Sequence, residues 1–277
     1  MALALYHYNS SVCSEKVRMV LHEKGVTDWK SHEVDLFTGG QFNPEYLKLN
    51  PKAVVPTLVE DGRVLTESTL IAEYLDDRFA EPPLKPADPF DRAQMRLYSK
   101  VCDEGLHQGV AVLSYSAMFM DRLRLMPPPQ VETHLSRIID LERRDRQTAI
   151  YHQGVDAPHV YRGTVAFEKA FQKIDKALSD GRTWLCGDQF TLAEINLVPY
   201  VARLEYLNML DVWTGERPQV DAWYRRIQAR PSFKVEVVDW IKQHEWAEMH
   251  DAGSRNKARV AELRDHYLKN DFGAKIY

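Results

Sequence analysis

Asn50-Pro51-Lys52-Ala53-Val54-Val55-Pro56-Thr57-Leu58-Val59-Glu60-Asp61-Gly62-Arg63-Val64-Leu65-Thr66-Glu67-Ser68 is the stretch from which the rest of the chain is read. Two apolar runs, 54–59 and 64–65, flank Asp61-Gly62. An Asp-Gly pair between β-type runs signals a hairpin, because a type I′ turn needs positive φ at both central residues. Residues 69–79 then carry Leu70, Ile71, Tyr74 and Leu75 at helical spacing, with Ser68 expected as the N-cap. A helix N-terminus of this kind attracts carboxylates. Pro56 heads a strand, where it cannot donate to a ladder, and it pushes Val55 to extended geometry. A cis Val55–Pro56 bond would turn Val55 outward, where an extended peptide can pair with it. The stretch therefore offers a strand edge for a short peptide beside a helix end for that peptide's carboxylate. An ordinary hairpin followed by a helix would use the same residues.

Outward toward the N-terminus, residues 3–8 read as a mostly buried strand and Asn9-Ser10-Ser11 break it. Residues 15–24 are helical, with Val17, Val20 and Leu21 on one face and Gly25 ending the helix. A second strand is expected over 29–36, a loop over 38–41 and a helical turn over 44–49. The order is β-α-β-α-β-β-α. The first two strands should be parallel by the crossover rule and the last two antiparallel by the hairpin, giving a small mixed sheet with helices on its faces.

Toward the C-terminus, Glu81-Pro82-Pro83-Leu84-Lys85-Pro86-Ala87-Asp88-Pro89 is a stiff linker. Nearly everything after it reads as helix: 90–121 with a bend at Gly105 or Gly109, then 131–151, 161–178, 192–207, 219–230 and 232–250. Thr191 and Glu194 form a capping box, with Phe190 before the cap as a staple and Asp188 as a further bond to the turn. The expected organisation is an α/β domain over 1–80, the linker 81–89, an all-α domain over 90–250, and a charged tail 251–277, either a surface helix or disordered.

The 277 residues carry a net charge of −4, which argues against a nucleic-acid partner. No apolar run approaches a membrane span, and the first residues lack a basic region and a cleavage site, so a cytoplasmic protein is expected. Three scattered cysteines, Cys13, Cys102 and Cys186, fit reduced thiols, and no Cys or His cluster has metal-ligand spacing.

A cleft between an α/β and an all-helical domain is a favoured ligand site, and the residues after the first strand, Asn9 to Ser14, are placed to face it. Two chemical readings are open. In one, a hydroxyl, Ser11 foremost, donates to a substrate thiolate at a helix N-terminus. In the other, Cys13 is the nucleophile, its pKa lowered by the helix dipole. The plainer alternative is that Ser10 or Ser11 only caps the helix and Cys13 only fills space.

Ser10-Ser11-Val12-Cys13-Ser14-Glu15-Lys16-Val17-Arg18, the stretch 50–58, the stretch 67–75 and Phe190-Thr191-Leu192-Ala193-Glu194 together resemble the cytosolic glutathione S-transferase family. The resemblance implies a thioredoxin-like N-terminal domain, an all-α C-terminal domain, a homodimer, and glutathione as co-substrate. It implies that Val55, before a cis Pro56, pairs with the cysteinyl backbone, and that Glu67 and Ser68 hold the γ-glutamyl end. Gln41 and Lys52 would hold the glycyl end. Ser11 falls where serine-type transferases keep the hydroxyl that stabilises the thiolate; Ser10 is its neighbour, and Ser14 is a third candidate. Residues 84–96 and the charged insert 139–155 resemble the bacterial glutathione-dependent β-etherases. The implied reaction is attack of the thiolate on an apolar aromatic electrophile, such as a β-aryl ether. Dehalogenase or isomerase chemistry, a thiol oxidoreductase using Cys13, and a non-catalytic binder of glutathione or apolar ligands are the alternatives. Tyr115, Met118 and Phe119 would line the second-substrate pocket, or else belong to the core.

Overall fold

The computed structural model describes residues 2–272. The N-terminal elements are β1 (Leu3–His7), α1 (Val12–Glu23), β2 (Lys30–Glu33), α2 (Pro44–Leu49), β3 (Thr57–Glu60), β4 (Arg63–Thr66) and α3 (Ser68–Arg78). The sheet order is β2-β1-β3-β4. β1 runs parallel to β2 and antiparallel to β3, and β3 runs antiparallel to β4. This is the expected thioredoxin-like mixed sheet. Asp61 (φ 48°) and Gly62 (φ 80°) make the positive-φ hairpin turn, and Val55–Pro56 is cis. Leu5 and Leu58 of the sheet, Val17 and Val20 of α1, and Ile71 and Leu75 of α3 are all buried.

Three boundaries differ from the sequence reading. α1 begins at Val12 rather than at 15, because Ser11 caps it. β2 is shorter than 29–36, because Asp35 Oδ1 accepts from the N–H groups of Phe37 (2.8 Å) and Thr38 (3.3 Å) and turns the chain. Ser68 is not the N-cap of α3. Glu67, at φ 69°, is the cap, and Ser68 is the first helical residue.

The remainder of the chain is helical. Pro89–Val101 (α4), His107–Ser114 (α5) and Met120–Arg124 (α6) are joined by wide π-type turns at Cys102–Leu106 and Tyr115–Phe119. Gly105 falls in the first turn. Pro128–Ser136 (α7) and Leu141–Gln153 (α8) replace the single helix expected over 131–151, because Asp140 caps α8 through the Arg143 N–H at 2.7 Å. Pro158–Leu178 (α9) crosses α5 closely: a Cβ on Gly163 would lie 2.6 Å from Val112 Cγ2.

Next come α10 (Leu192–Tyr206), α11 (Asp211–Thr214), α12 (Pro218–Gln228), α13 (Pro231–Phe233) and α14 (Gln243–His266). Thr191 Oγ1 accepts from the Ala193 N–H (3.2 Å), while the Glu194 carboxylate accepts from the N–H groups of Thr191 (3.0 Å) and Leu185 (2.7 Å). The capping box is thus present, with Glu194 rather than Asp188 bonding the preceding turn. The helix expected over 232–250 is interrupted by a π-type turn at Lys234–Val238 and a break before Gln243. The tail is helical to His266 and continues as a wide turn through Phe272; residues 273–277 lie outside the described residues.

By contacts, the chain forms two compact units. One holds the residues up to Ser99, with Gly181–Pro199 and Trp223–Lys242. The other holds Lys100–Asp180, Tyr200–Ala222 and the chain from Gln243 on.

Candidate active site

The strand register determines what meets at one end of the sheet. Thr57 pairs with Tyr6 on one side and with Thr66 on the other. The chain leaving β1 (Tyr8 to Ser11), the chain entering β3 (Ala53 to Pro56) and the chain leaving β4 (Glu67, Ser68) therefore lie at the same end. Residues far apart in sequence, each singled out above, are brought together by two antiparallel pairings.

Ser11 is half-buried at the start of α1, and its Oγ accepts from the Ser14 N–H at 3.3 Å. That bond uses a lone pair and leaves the Ser11 O–H free to donate elsewhere. Ser10 is also half-buried. Ser14 is fully buried, and its Oγ accepts from the Tyr8 N–H at 3.3 Å. Cys13 is a half-buried free thiol.

Beneath this turn lies Arg18, fully buried on α1. Its guanidinium donates to the carbonyls of Tyr8 (3.1 Å), Asn9 (2.8 Å) and Glu236 (2.9 Å), and to His7 Nδ1 (3.2 Å). The Trp240 ring stacks on it at 4.6 Å. Burial pulls Arg18 down to about 10, so it stays charged at neutral pH. Because arginine only donates, His7 Nδ1 must accept, and His7 Nε2–H donates to Ser31 Oγ at 2.7 Å. Burial, with the Arg18 charge behind it, pushes His7 down to about 3.

The loop before β3 is held by a directional chain of hydrogen bonds. Asn50 Nδ2 donates to Thr57 Oγ1 (3.1 Å) and to the Val54 carbonyl (2.9 Å). Thr57 Oγ1 lies 3.0 Å from the Tyr46 hydroxyl, which donates to the Val54 carbonyl. Burial pushes the Tyr46 hydroxyl pKa up, so it remains a donor. These bonds stop at Val54. Val55 lies just before β3, and its N–H and C=O bond to no other described residue.

At the head of α3, Ser68 is buried and its Oγ accepts from Lys16 Nζ at 3.4 Å. No side chain caps this helix. Glu67 is exposed in a left-handed conformation that costs a non-glycine residue about 1 kcal/mol or more. Lys52 Nζ pairs with Glu67 Oε1 at 2.6 Å, and that hydrogen bond raises the Lys52 pKa. The two residues expected at opposite ends of a bound tripeptide are thus in contact. Gln41 is buried in the turn Gly40–Phe42; its Nε2 donates to the Leu36 carbonyl (3.4 Å), and its Oε1 has no partner among the described residues.

Tyr115, Met118 and Phe119 belong to the second unit and share one π-type turn. Tyr115 and Met118 are buried, and the Tyr115 and Phe119 rings stack at 5.9 Å. Burial drives the Tyr115 hydroxyl pKa up, and that hydroxyl has no partner among the described residues. Two pockets, of about 420 and 490 Å³, are not lined by Ser10, Ser11, Ser14, Gln41, Lys52, Val55, Glu67, Ser68, Tyr115, Met118 or Phe119; the second is lined in part by Tyr46 and Ser31. Among the described residues, no group of three or more His, Cys, Asp or Glu is placed to hold a metal ion.

Sequence reading missed Lys16, Arg18, Tyr46 and Thr57. The Asn50-Pro51 pair was a signal for the Asn50 turn, since asparagine bonds the backbone two residues on, as the Lys52 N–H does here at 3.1 Å. Nothing local marks a buried Lys or Arg as different from a solvated one.

Comparison with known proteins identifies the family. Residues 5–83 match the family model described as glutathione S-transferase, N-terminal domain, and residues 143–226 match the C-terminal domain model. The chain is 31% identical over 246 residues to a tetrachloro-p-hydroquinone reductive dehalogenase of Sphingobium chlorophenolicum, covering 85% of this chain and 96% of that protein. It is 37% identical over 240 residues to glutathione S-transferase Z2 of Arabidopsis thaliana, covering 86% and 91%. Among solved structures, the β-etherase LigF of Sphingobium sp. strain SYK-6 superposes with a TM-score of 0.76 at 27% identity, covering 86% of this chain and all of that one. The chain belongs to the glutathione S-transferase family, enzymes whose co-substrate is glutathione.

Proposed function

We propose that the chain binds glutathione at the sheet end described above, ionises its thiol with Ser11, and directs the thiolate onto an apolar aromatic electrophile. The observation that carries this reading is the open backbone of Val55 lying at the same sheet end as the Ser11 hydroxyl. Val55, held by cis Pro56, pairs with the cysteinyl residue. The thiol then sits by the start of α1, where the Ser11 O–H donates to the sulfur and the helix dipole favours the anion. Ser10 is the second candidate for that donor. Ser14, with its oxygen committed to Tyr8, is better read as a brace for the turn. Ser68 and Glu67 receive the γ-glutamyl end, and Gln41 and Lys52 the glycyl end. Lys52 can leave Glu67 at small cost, since an exposed ion pair is worth about 1 kcal/mol or less.

The favoured electrophile is a β-aryl ether. The thiolate attacks carbon, the C–S bond forms, the C–O bond breaks, and its electron pair leaves with the aryloxide, which then takes a proton. The likeness to the β-etherase supports this class. The likeness to the dehalogenase supports a halogenated aromatic as the second. Both need the same thiolate. Tyr115, Met118 and Phe119 are inferred to contact the aromatic group, with the Tyr115 hydroxyl as a donor for its polar atom. A cytoplasmic homodimer is the inferred form. The three free cysteines support a reducing compartment, and no helix among the described residues is long and apolar enough to cross a membrane.

The test is incubation with glutathione and a β-aryl ether, followed by mass spectrometry. The reading expects a glutathione thioether and a free phenol in equal amounts. Release of halide from a chlorinated hydroquinone without ether cleavage would favour the second class. Binding of glutathione with turnover of neither would leave a binding protein and overturn the proposal.

A further inference from the structure

We propose that Lys16 is a positioning residue for substrate: it aims the Ser68 hydroxyl proton at the α-carboxylate of the γ-glutamyl group. The inference rests on the glutathione-binding reading above. Lys16 lies on α1 and is fully buried. A buried ammonium is costly unless hydrogen bonds and opposite charge compensate it, so an apolar side chain would serve packing better. Its Nζ lies 3.4 Å from Ser68 Oγ, across the α1–α3 interface.

Lysine has three donors and no acceptor, so the serine oxygen accepts. The Ser68 proton is thereby turned away from Lys16. Ser68 is the first residue of α3, a helix of 11 residues with no side-chain cap. An O–H turned from Lys16, the positive helix end and the ammonium behind the oxygen all favour one kind of acceptor, an anion. Lys16 polarises the hydroxyl it donates to, which strengthens the bond Ser68 can give. Being fully buried, Lys16 acts through Ser68 and does not touch the ligand. The competing explanation is that Lys16 only balances Glu15, its neighbour on the helix, which is 1% exposed.

The two explanations separate on a ligand that lacks the carboxylate. Dissociation constants are measured by calorimetry for glutathione and for 4-aminobutyryl-cysteinyl-glycine, which keeps the amine and loses the α-carboxylate. The proposal expects Lys16→Met to weaken glutathione about tenfold, the scale of one charge-assisted hydrogen bond, and to leave the analogue within about twofold. Lys16→Arg should restore most of the loss. Ser68→Ala should show the same selectivity, and Lys16→Met added to Ser68→Ala should cost little more. If Lys16→Met does not fold, Lys16→Gln carries the test, since an amide can donate to Ser68 without charge and should give an intermediate selective loss. Equal weakening of both ligands, or no weakening of either, overturns the proposal. Failure of the wild type to bind glutathione overturns the reading beneath it as well.

Discussion

Ser11 does two things with one oxygen. It accepts the Ser14 N–H as the cap of α1, and its own proton remains for a thiolate. Ser11→Ala should therefore cost about 1 kcal/mol of stability, the usual value of an N-cap, measured by denaturant unfolding. Its effect on turnover should be far larger, about 100-fold or more in kcat, the scale for losing one donor to a developing anion. Ser14→Ala should do the reverse, costing stability with a modest effect on kcat. His7 gives the molecule a pH dependence of definite sign. Its native pKa of about 3 lies below the ordinary 6.5, so the unfolded chain takes up the proton first as pH falls. Stability should drop by about 1 kcal/mol between pH 6.5 and 5.5 from this residue alone. His32 and His134, also lowered by burial, add in the same direction. Unfolding of His7→Gln across that range should show the shallower slope. The Ser11 cap and the Val55–Pro56 turn were legible in the sequence because each follows from neighbours in the chain. Lys16 and Arg18 were not, because only the packing of α1 on α3 and on the segment at Glu236 makes them different from surface cations.

At the scale of the element, caps and close approaches decide where helices end and meet. Glu194 is fully buried and accepts from two backbone N–H groups and the Thr191 hydroxyl. Glu194→Ala would strand those donors and should cost about 3 kcal/mol, against about 1 kcal/mol for Thr191→Ala, both by denaturant unfolding. Gly253 in α14 lies against the Leu207 carbonyl so closely that an added Cβ would overlap it. Gly253→Ala should destabilise by about 1–3 kcal/mol in spite of alanine's better helix propensity, seen as a lower melting temperature. The capping box and the Asp-Gly hairpin were readable because each is a pattern of a few adjacent residues. The breaks at 137–140 and 239–242 were not, since they contain neither glycine nor proline. Asp140 ends one by capping α8, and Trp240 ends the other by packing on Arg18 and on the His7 ring. Those are tertiary contacts with no local signature.

For the whole molecule, two antiparallel pairings through Thr57 bring three separate stretches to one end of a four-stranded sheet. The order of elements in the sequence was enough to derive a mixed sheet with the first two strands parallel and the last two antiparallel, but not the β1–β3 pairing that sets the strand order. Composition and charge only argued against other classes of function, and the choice of electrophile rests on likeness to relatives rather than on the sheet end itself. The central claim is that this end ionises a thiol. It is tested most directly by titrating bound glutathione with pH and following thiolate absorbance in the ultraviolet, in the wild type and in Ser11→Ala. The account predicts a bound thiol pKa below the free value of about 8.5, each unit being about 1.4 kcal/mol, and its return toward that value in Ser11→Ala. A bound pKa that equals the free value in both proteins would contradict it.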